Sequence, residues 1–278
     1  MRGDFEALLR IAKQAAQVAA AVHHRADPGL LGVGMKSSPM DLVTAVDREA
    51  EQQLVSVIRT ARPDDAIIGE EGTTISGNSG VCWILDPLDG TTNFVYGYPA
   101  HAVAVGIEID GKRVLGVVHD TYHHRVYSGV VGGGAECDGR PMAAGVTSDL
   151  SHALIGTGFL PEAAVRHVQG EVLQRVLPVV RDVRRSGCPA LDLCAVAAGT
   201  LDGFYESGLR RWDIAAGAAI AEAAGATVVE LQSTVLPNPF RWLPTPGSYR
   251  HSSRCWSRLG RPQGQARTRP DTGVKPTR

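Results

Sequence analysis

The chain has 278 residues, 44% of them hydrophobic, and a formal net charge of −1, an ordinary globular composition with ample apolar material for a buried core. That near-neutral sum hides an asymmetry: residues 231–278 hold nine Lys and Arg against one acid, and residues 1–230 hold nineteen against twenty-eight, a net of −9. Taken alone, the acidic body serves solubility; it excludes phosphate chemistry unless cations stand between carboxylate and phosphate, so phosphate chemistry here calls for a metal.

Phe5, Leu8, Leu9, Ala12, Ala15, Ala16, Ala19 and Val22 recur at helical spacing and predict an amphipathic helix over 4–23. Arg10, Lys13, Gln14 and Gln17 interrupt the apolar run, which argues against a signal peptide or a membrane span. A second helix is expected from Asp47 to about Thr60, ahead of Pro63, and the apolar runs 66–69 and 81–85 read as strands. From His101 to Cys137 the alternation of Val103, Val105, Ile107 and Ile109 before the Asp110-Gly111 turn predicts an antiparallel meander. Beyond it, strand-like and helix-like stretches alternate at 153–157, 162–177, 180–184, 190–198, 202–206, 213–224 and 226–230, which favours a layered α/β arrangement. After Glu230 the periodicity stops; residues 231–278 carry seven of the sixteen prolines, and disorder is expected there. Such a basic tail suits RNA or another polyanion, and equally suits a solvated extension. The five cysteines Cys82, Cys137, Cys188, Cys194 and Cys255 form no C-x-x-C pair and their odd number argues against a disulfide framework, so the chain is expected to be reduced and cytoplasmic.

The densest chemical signal is Asp86-Pro87-Leu88-Asp89-Gly90-Thr91-Thr92-Asn93, which follows an apolar strand and ends it in a crevice. Pro87 fixes the backbone between two acids, Gly90 allows a ligand close to the main chain, and Thr91 and Thr92 open a helix whose first amides suit phosphate oxygens. Two acids beside an anion site require a hard cation, for which Mg²⁺ with its oxygen ligands is the fitting choice. In isolation such a string is a turn that caps a helix. Other carboxylates at element ends weigh against that simple reading: Glu70 and Glu71 close the strand 66–69, and Asp213 stands where a helix begins, although a capping role alone would explain Asp213 and Asp47. The nine histidines show no H-E-x-x-H spacing and no serine has a G-x-S-x-G context. Gly132-Gly133-Gly134 reads as a strand turn and His101 as a structural histidine.

Three separated segments carry a resemblance to the inositol monophosphatase family of lithium-sensitive, metal-dependent sugar phosphatases. They are Asp41 to Asp47 with Gly69-Glu70-Glu71; Asp86 to Phe94; and Leu191-Asp192-Leu193-Cys194 through Trp212-Asp213-Ile214-Ala215-Ala216-Gly217. The resemblance covers residues 4 to 230 and implies an α/β fold, a layered αβαβα sandwich with an antiparallel first sheet and a smaller second sheet, in two interleaved halves of about 1–145 and 146–230. It implies two to three Mg²⁺ ions: Glu70, Asp86 and the Leu88 carbonyl on one, Asp86, Asp89 and Asp213 on a second, and Glu70 on a weaker third. It further implies that Thr91 and Asp47 polarise the attacking water, with Glu70 counted among the catalytic groups. The Gly90 and Thr91 amides would hold the phosphate, Glu206 would accept a substrate hydroxyl, and Gly187, Cys188 and Pro189 would line the substrate. The implied reaction is hydrolysis of a small phosphate monoester by metal-activated water, with myo-inositol 1-phosphate the first candidate and histidinol phosphate, nucleotide 3′-phosphates and fructose 1,6-bisphosphate the alternatives. The implied assembly is a homodimer. A non-catalytic protein that binds RNA or a transcription partner is the reading from another class. Two departures stand out: Pro189 replaces a small residue and removes its amide, and Leu231 to Arg278 match nothing in the family, as a shifted reading frame or a divergent terminus would produce.

Overall fold

The protein is described as a computed structural model, which covers residues 2–26, 34–35, 42–231 and 240–244. Asp41, at the head of the first motif, lies outside the described residues, as does Cys255. In chain order the elements are α1 (Arg2–Arg25), β1 (Gly34–Met35), β2 (Leu42–Val43), α2 (Ala45–Ala61), β3 (Ala66–Gly69), β4 (Thr74–Ile75), β5 (Val81–Asp89) and α3 (Thr91–Tyr96). The meander follows as β6 (Ala102–Ile109), β7 (Lys112–Asp120), β8 (Arg125–Val130), β9 (Gly134–Cys137) and β10 (Arg140–Met142). The remainder is β11 (Leu154–Thr157), α4 (Ala163–Val176), β12 (Asp182–Arg184), α5 (Pro189–Ala197), β13 (Gly203–Ser207), α6 (Arg211–Ala223), β14 (Val229–Leu231) and β15 (Phe240–Pro244).

The strands form an eight-stranded sheet in the order β10-β9-β8-β7-β6-β5-β3-β4 and a five-stranded sheet in the order β12-β11-β13-β15-β14. Pairing in the first sheet is antiparallel except between β3 and β5. Helices α1 and α2 cover one face of it, α5 and α6 fill the space between the sheets, and α4 covers the far side of the second sheet, giving five layers. The expected αβαβα sandwich with a larger antiparallel sheet is therefore present. Among the described residues no helix is long and apolar enough to cross a membrane, and Cys82, Cys137, Cys188 and Cys194 are free thiols.

Alternation within the meander explains the layering. Val103, Val105, Ile107, Leu115 and Val117 point into the core with α1 and α2, whereas Ala102, Ala104, Gly106 and Gly116 face α6. Large residues on one face and small ones on the other let the alanine-rich α6 lie almost flush on the sheet: a Cβ on Gly116 would stand 2.1 Å from the Ala216 carbonyl oxygen. This close approach brings the start of α6, and with it Asp213, against the ends of β5 and β6.

The segment after Glu230 departs from expectation. The sequence predicts no structure there, yet residues 240–244 form β15, which inserts antiparallel between β13 and β14. Backbone pairing with two existing strands supplies the order that the proline-rich sequence does not encode locally. Leu231 closes β14, and residues 232–239 and 245–278 lie outside the described residues.

Asp65 ties α2 to the first sheet. Its buried carboxylate accepts from Arg62 Nε at 2.8 Å, Ser79 Oγ at 2.6 Å and the Trp83 indole Nε1 at 2.9 Å. Burial pushes its proton affinity up, but these three donors and the Arg62 charge outweigh that effect and hold the carboxyl below its ordinary value of 3.8. The contribution is thus complete above the unfolded carboxyl value of about 3.9 and is lost as pH falls through the lower folded value. Asp65→Asn should destabilise the fold by about 2 kcal/mol at pH 7, with a smaller difference from the parent chain in acid, as read by urea unfolding across pH.

Candidate active site

Strand β5 carries the two central acids. In a regular strand, positions 86 and 89 would point to opposite faces, because their separation is odd. The register against β6 shifts within this stretch, so that Asp86 pairs with Ala104 and Asp89 pairs with Ala102. Between these pairs two residues on β5, Pro87 and Leu88, oppose one on β6, Val103, and both carboxylates turn to the face covered by α5 and α6. Leu85 and Leu88 meanwhile stay in the core with α1 and α2. The irregularity at Asp86-Pro87-Leu88-Asp89 is what makes the two acids neighbours.

Asp86 is 2% exposed and Asp89 6%. The Leu88 amide donates to Asp86 Oδ1 at 3.1 Å. Burial, then the charges of Glu70, Asp89 and Asp213, push the Asp86 carboxyl well above the carboxylate range, and Glu70 shares a hydrogen bond with it. Asp89 Oδ2 accepts from the Cys188 thiol at 3.0 Å and the Ala190 amide at 2.6 Å. Burial raises its carboxyl, these two donors lower it, and the Asp213 and Glu70 charges raise it again, to about 8. Glu70, Asp86, Asp89 and Asp213, which come from the turn after β3, from β5 and from α6, thus act on one another's charge. Asp213 also caps its own helix, taking the Arg210 amide on Oδ2 at 2.6 Å.

Glu206 on β13 belongs to the same acidic neighbourhood. It is buried, and burial followed by the Asp213, Asp192 and Asp89 charges lifts its carboxyl well above the usual range against an opposing pull from Arg185. A side chain at residue 158 would not fit beside it, since a Cβ on Gly158 would lie 2.0 Å from Glu206 Oε2.

Asp47 is fully buried at the third position of α2, where its Oδ2 accepts from the Thr44 amide at 2.7 Å and the Thr44 hydroxyl at 2.6 Å while Thr44 caps the helix in return. It is more than a cap, because its Oδ1 lies 3.0 Å from Thr91 Oγ1. That hydroxyl also stands 3.0 Å from the Leu88 carbonyl oxygen. Gly90 precedes α3 with φ of 87°, a left-handed conformation suited to glycine, and a Cβ there would meet the Ala100 carbonyl at 2.7 Å. The Gly90 and Thr91 amides therefore open a short helix at the edge of the acidic cluster.

The 187–189 segment approaches from the second sheet. Asn93 Nδ2 donates to the Ala100 carbonyl at 2.7 Å and to the Ser186 carbonyl at 2.9 Å, joining the β5–α3 loop to the start of α5. Cys188 is buried, and its thiol donates to Asp89 Oδ2. Pro189 occupies the first position of α5, where a missing amide costs nothing, and the Ala190 amide next to it is the one used.

Two residues with a structural hold on the site carried no sequence signal. His23 on α1 sits 2.9 Å from the Pro87 carbonyl through Nε2 and 3.2 Å from Thr121 Oγ1 through Nδ1. Burial and the neighbouring His101 charge lower its pKa to about 3, so the neutral ring donates from Nε2 to the β5 loop. His101 bonds Thr121 Oγ1 at 2.6 Å through Nδ1, a structural role as expected. Glu51, one helical turn after Asp47, is the second such residue.

Among the described residues no three His, Cys, Asp or Glu side chains form a group at cation-holding geometry; several of the acidic oxygens are turned onto protein donors. The chemistry of the donor set nevertheless fits a hard divalent cation. It offers only oxygens, and it concentrates negative charge at buried positions where Asp86 and Asp89 bind protons abnormally tightly, a cost that a divalent ion offsets.

Comparison with known proteins gives a consistent result. The inositol monophosphatase family model matches residues 4–255, so the likeness runs past residue 230, where the motifs alone ended it, and takes in part of the segment expected to match nothing. The chain is 48% identical over 215 residues to the inositol-1-monophosphatase of Mycobacterium bovis, covering 74% of each chain. It is 37% identical over 224 residues to the Nus factor SuhB of Pasteurella multocida, covering 80% of this chain and 83% of the relative. The solved structure of Mycobacterium tuberculosis SuhB superposes with a TM-score of 0.76 at 40% identity, over 91% of this chain and 96% of that one. With the motif order, the layered fold and the gathered carboxylates all in agreement, this chain belongs to the inositol monophosphatase family.

Proposed function

We propose that the protein hydrolyses a small phosphate monoester with Mg²⁺ as cofactor, and that myo-inositol 1-phosphate is its substrate. The observation that carries this reading is the mutual influence of Glu70, Asp86, Asp89 and Asp213, four acids from distant parts of the chain, two of them buried and two half-buried, beside the Gly90 and Thr91 amides. Glu70, Asp86 and the Leu88 carbonyl would hold one ion, Asp86, Asp89 and Asp213 a second, and Glu70 a third. When bound, Mg²⁺ acts as a Lewis acid that lowers the proton affinity of water and neutralises phosphate charge. The Thr91 hydroxyl donates to Asp47 Oδ1, which leaves its oxygen free to accept from a water and fix that water's orientation. The Gly90 and Thr91 amides donate to phosphate oxygens. Glu206, buried at the far side of the cluster, meets a hydroxyl of a polyol, and Gly187 to Pro189 border the same space. A homodimer belongs to this reading.

Release of inorganic phosphate from myo-inositol 1-phosphate, histidinol phosphate, a nucleotide 3′-phosphate and fructose 1,6-bisphosphate tests it. The expected result is Mg²⁺-dependent turnover, greatest on the inositol ester and inhibited by Li⁺. Absence of turnover on every member sinks the enzyme reading. A second reading, a protein that binds RNA or a transcription partner without catalysis, is favoured by one observation, the Nus factor name of the Pasteurella relative. Salt-sensitive RNA retention that survives Asp89→Asn and vanishes on deletion of residues 245–278 would support it.

A further inference from the structure

Glu51 is 4% exposed on α2, yet it makes no contact with that helix's capping machinery. Its carboxylate reaches across to the turn that follows β3. Oε2 accepts from the Glu71 amide at 2.8 Å and Oε1 from the Thr73 amide at 3.0 Å. The turn is held on its other side by Gly69, whose amide donates to the Thr73 carbonyl at 2.8 Å, and by the Glu70 amide, which donates to the Leu85 carbonyl at 3.1 Å. Gly69 leaves no room for any side chain: a Cβ there would stand 2.3 Å from Glu51 Oε2. Glu70 is thus suspended between β5 and the Glu51 carboxylate, and it is the residue that shares a hydrogen bond with Asp86.

We propose that Glu51 is a positioning residue for the metal site, holding the 69–73 turn through the Glu71 and Thr73 amides so that Glu70 faces Asp86. Helix α2 then governs two parts of the site from one face. Asp47 sets the Thr91 hydroxyl and Glu51, four residues on, sets the Glu70 turn; an i, i+4 pair lies on one side of a helix. A carboxylate suits this task because its two oxygens take two amides at once in a fork that an amide side chain cannot reproduce, one of its two atoms being a donor. Outer contacts of this kind typically govern metal affinity by 10- to 100-fold. The inference rests on the reading of Glu70 as a metal ligand.

The test uses the full chain with Mg²⁺ alone, titrated by calorimetry, and amide hydrogen exchange at Glu71 and Thr73. Glu51→Gln should raise the Mg²⁺ Kd about tenfold or more and speed exchange at both amides. Gly69→Ala should do the same with Glu51 intact, because the added methyl displaces the carboxylate. Asp65→Asn, a destabilising change at the opposite end of β3 from the turn and without a hydrogen bond to it, should lower the melting temperature without changing the Mg²⁺ Kd. Wild-type Kd and wild-type exchange in Glu51→Gln would overturn the proposal, as would an equal loss of Mg²⁺ affinity in Asp65→Asn, which would make the effect one of general stability. A parent chain that takes up no Mg²⁺ removes the metal reading and this proposal with it, an outcome distinct from a parent chain that binds while Glu51→Gln binds equally well.

Discussion

Asp86→Asn should abolish phosphate release and at the same time stabilise the metal-free chain. Asparagine keeps the side-chain oxygen that accepts from the Leu88 amide and has nearly the same volume, so packing around this 2%-exposed position changes little. What disappears is a carboxyl that must take up a proton on folding because its site is hostile to charge. Burial comes first among the causes that raise the Asp86 carboxyl, and the Glu70, Asp89 and Asp213 charges follow. A carboxyl whose folded pKa lies above its unfolded one binds protons more tightly in the native state, so it subtracts stability as pH rises above the unfolded value of about 4. Without metal, Asp86→Asn should therefore melt above the parent chain by the equivalent of about 1–3 kcal/mol, a gap that widens from pH 5 to pH 8. With Mg²⁺ the order reverses, because the parent gains a ligand-linked shift that the variant lacks. Loss of a shared ligand should cost about 10⁴-fold in rate, equivalent to ~5 kcal/mol. A variant that is less stable than the parent without Mg²⁺, or that retains turnover, would remove the case for a metal-holding cluster.

Much of this architecture is readable from residue patterns, and the exceptions have physical causes. Helix α1 and the meander follow from strict periodicities of 3.6 and 2, and the observed α1 and β6–β9 match the expected elements closely. The alternation of valines with alanine and glycine in β6 also announces two faces of different depth, although only the packed structure shows that α6 occupies the shallow one. The acids of the Asp86–Asp89 motif were identifiable from composition and spacing, but their convergence depends on a register shift against β6. No local pattern encodes that shift, because it is a property of a strand pair. The contact of the Cys188 thiol with Asp89 spans 99 positions, beyond any local rule. Glu51 has no sequence signal, since an acid on an amphipathic helix ordinarily faces water and its partners here are main-chain amides. Strand β15 lacks one for a related reason: residues 240–244 show no alternation that stands out from the surrounding prolines, and pairing with β13 and β14 is what orders them.

Some buried acids build the scaffold, and others are arranged against it. Asp65 stabilises because three donors converge on it; Asp86 and Asp89 do the opposite, since burial and like charges dominate their surroundings. A chain selected for stability alone would have no reason to keep the second pattern, whereas one that binds a divalent ion recovers the cost on binding. Glu206 on the second sheet follows the second pattern as well.

Asp47→Asn should lower kcat by about 10²–10³-fold with little change in KM, through an inversion of one hydrogen bond. Asp47 Oδ2 must accept, since the Thr44 amide points at it from 2.7 Å. An asparagine at this position keeps its oxygen there and turns its NH₂ toward Thr91 Oγ1, which in the parent donates to Asp47 Oδ1 at 3.0 Å. The Thr91 hydroxyl then accepts from residue 47 and donates to the Leu88 carbonyl, already 3.0 Å away. Its proton moves to the Leu88 side and a lone pair is spent, so the oxygen no longer presents the same acceptor to a water. Substrate contacts through the Gly90 and Thr91 amides remain, which is why KM is spared. The cap survives in part and the stability loss should be near 1 kcal/mol. Two changes at the other end of the bond isolate the cause. Thr91→Ser keeps the hydroxyl and should stay within about tenfold of the parent, whereas Thr91→Val keeps the shape, loses the hydroxyl and should match Asp47→Asn. If residue 47 and residue 91 act through this one bond, the double variant Asp47→Asn/Thr91→Val is no slower than either single change. Additive losses would mean instead that Asp47 serves the helix and Thr91 the reaction, each by itself.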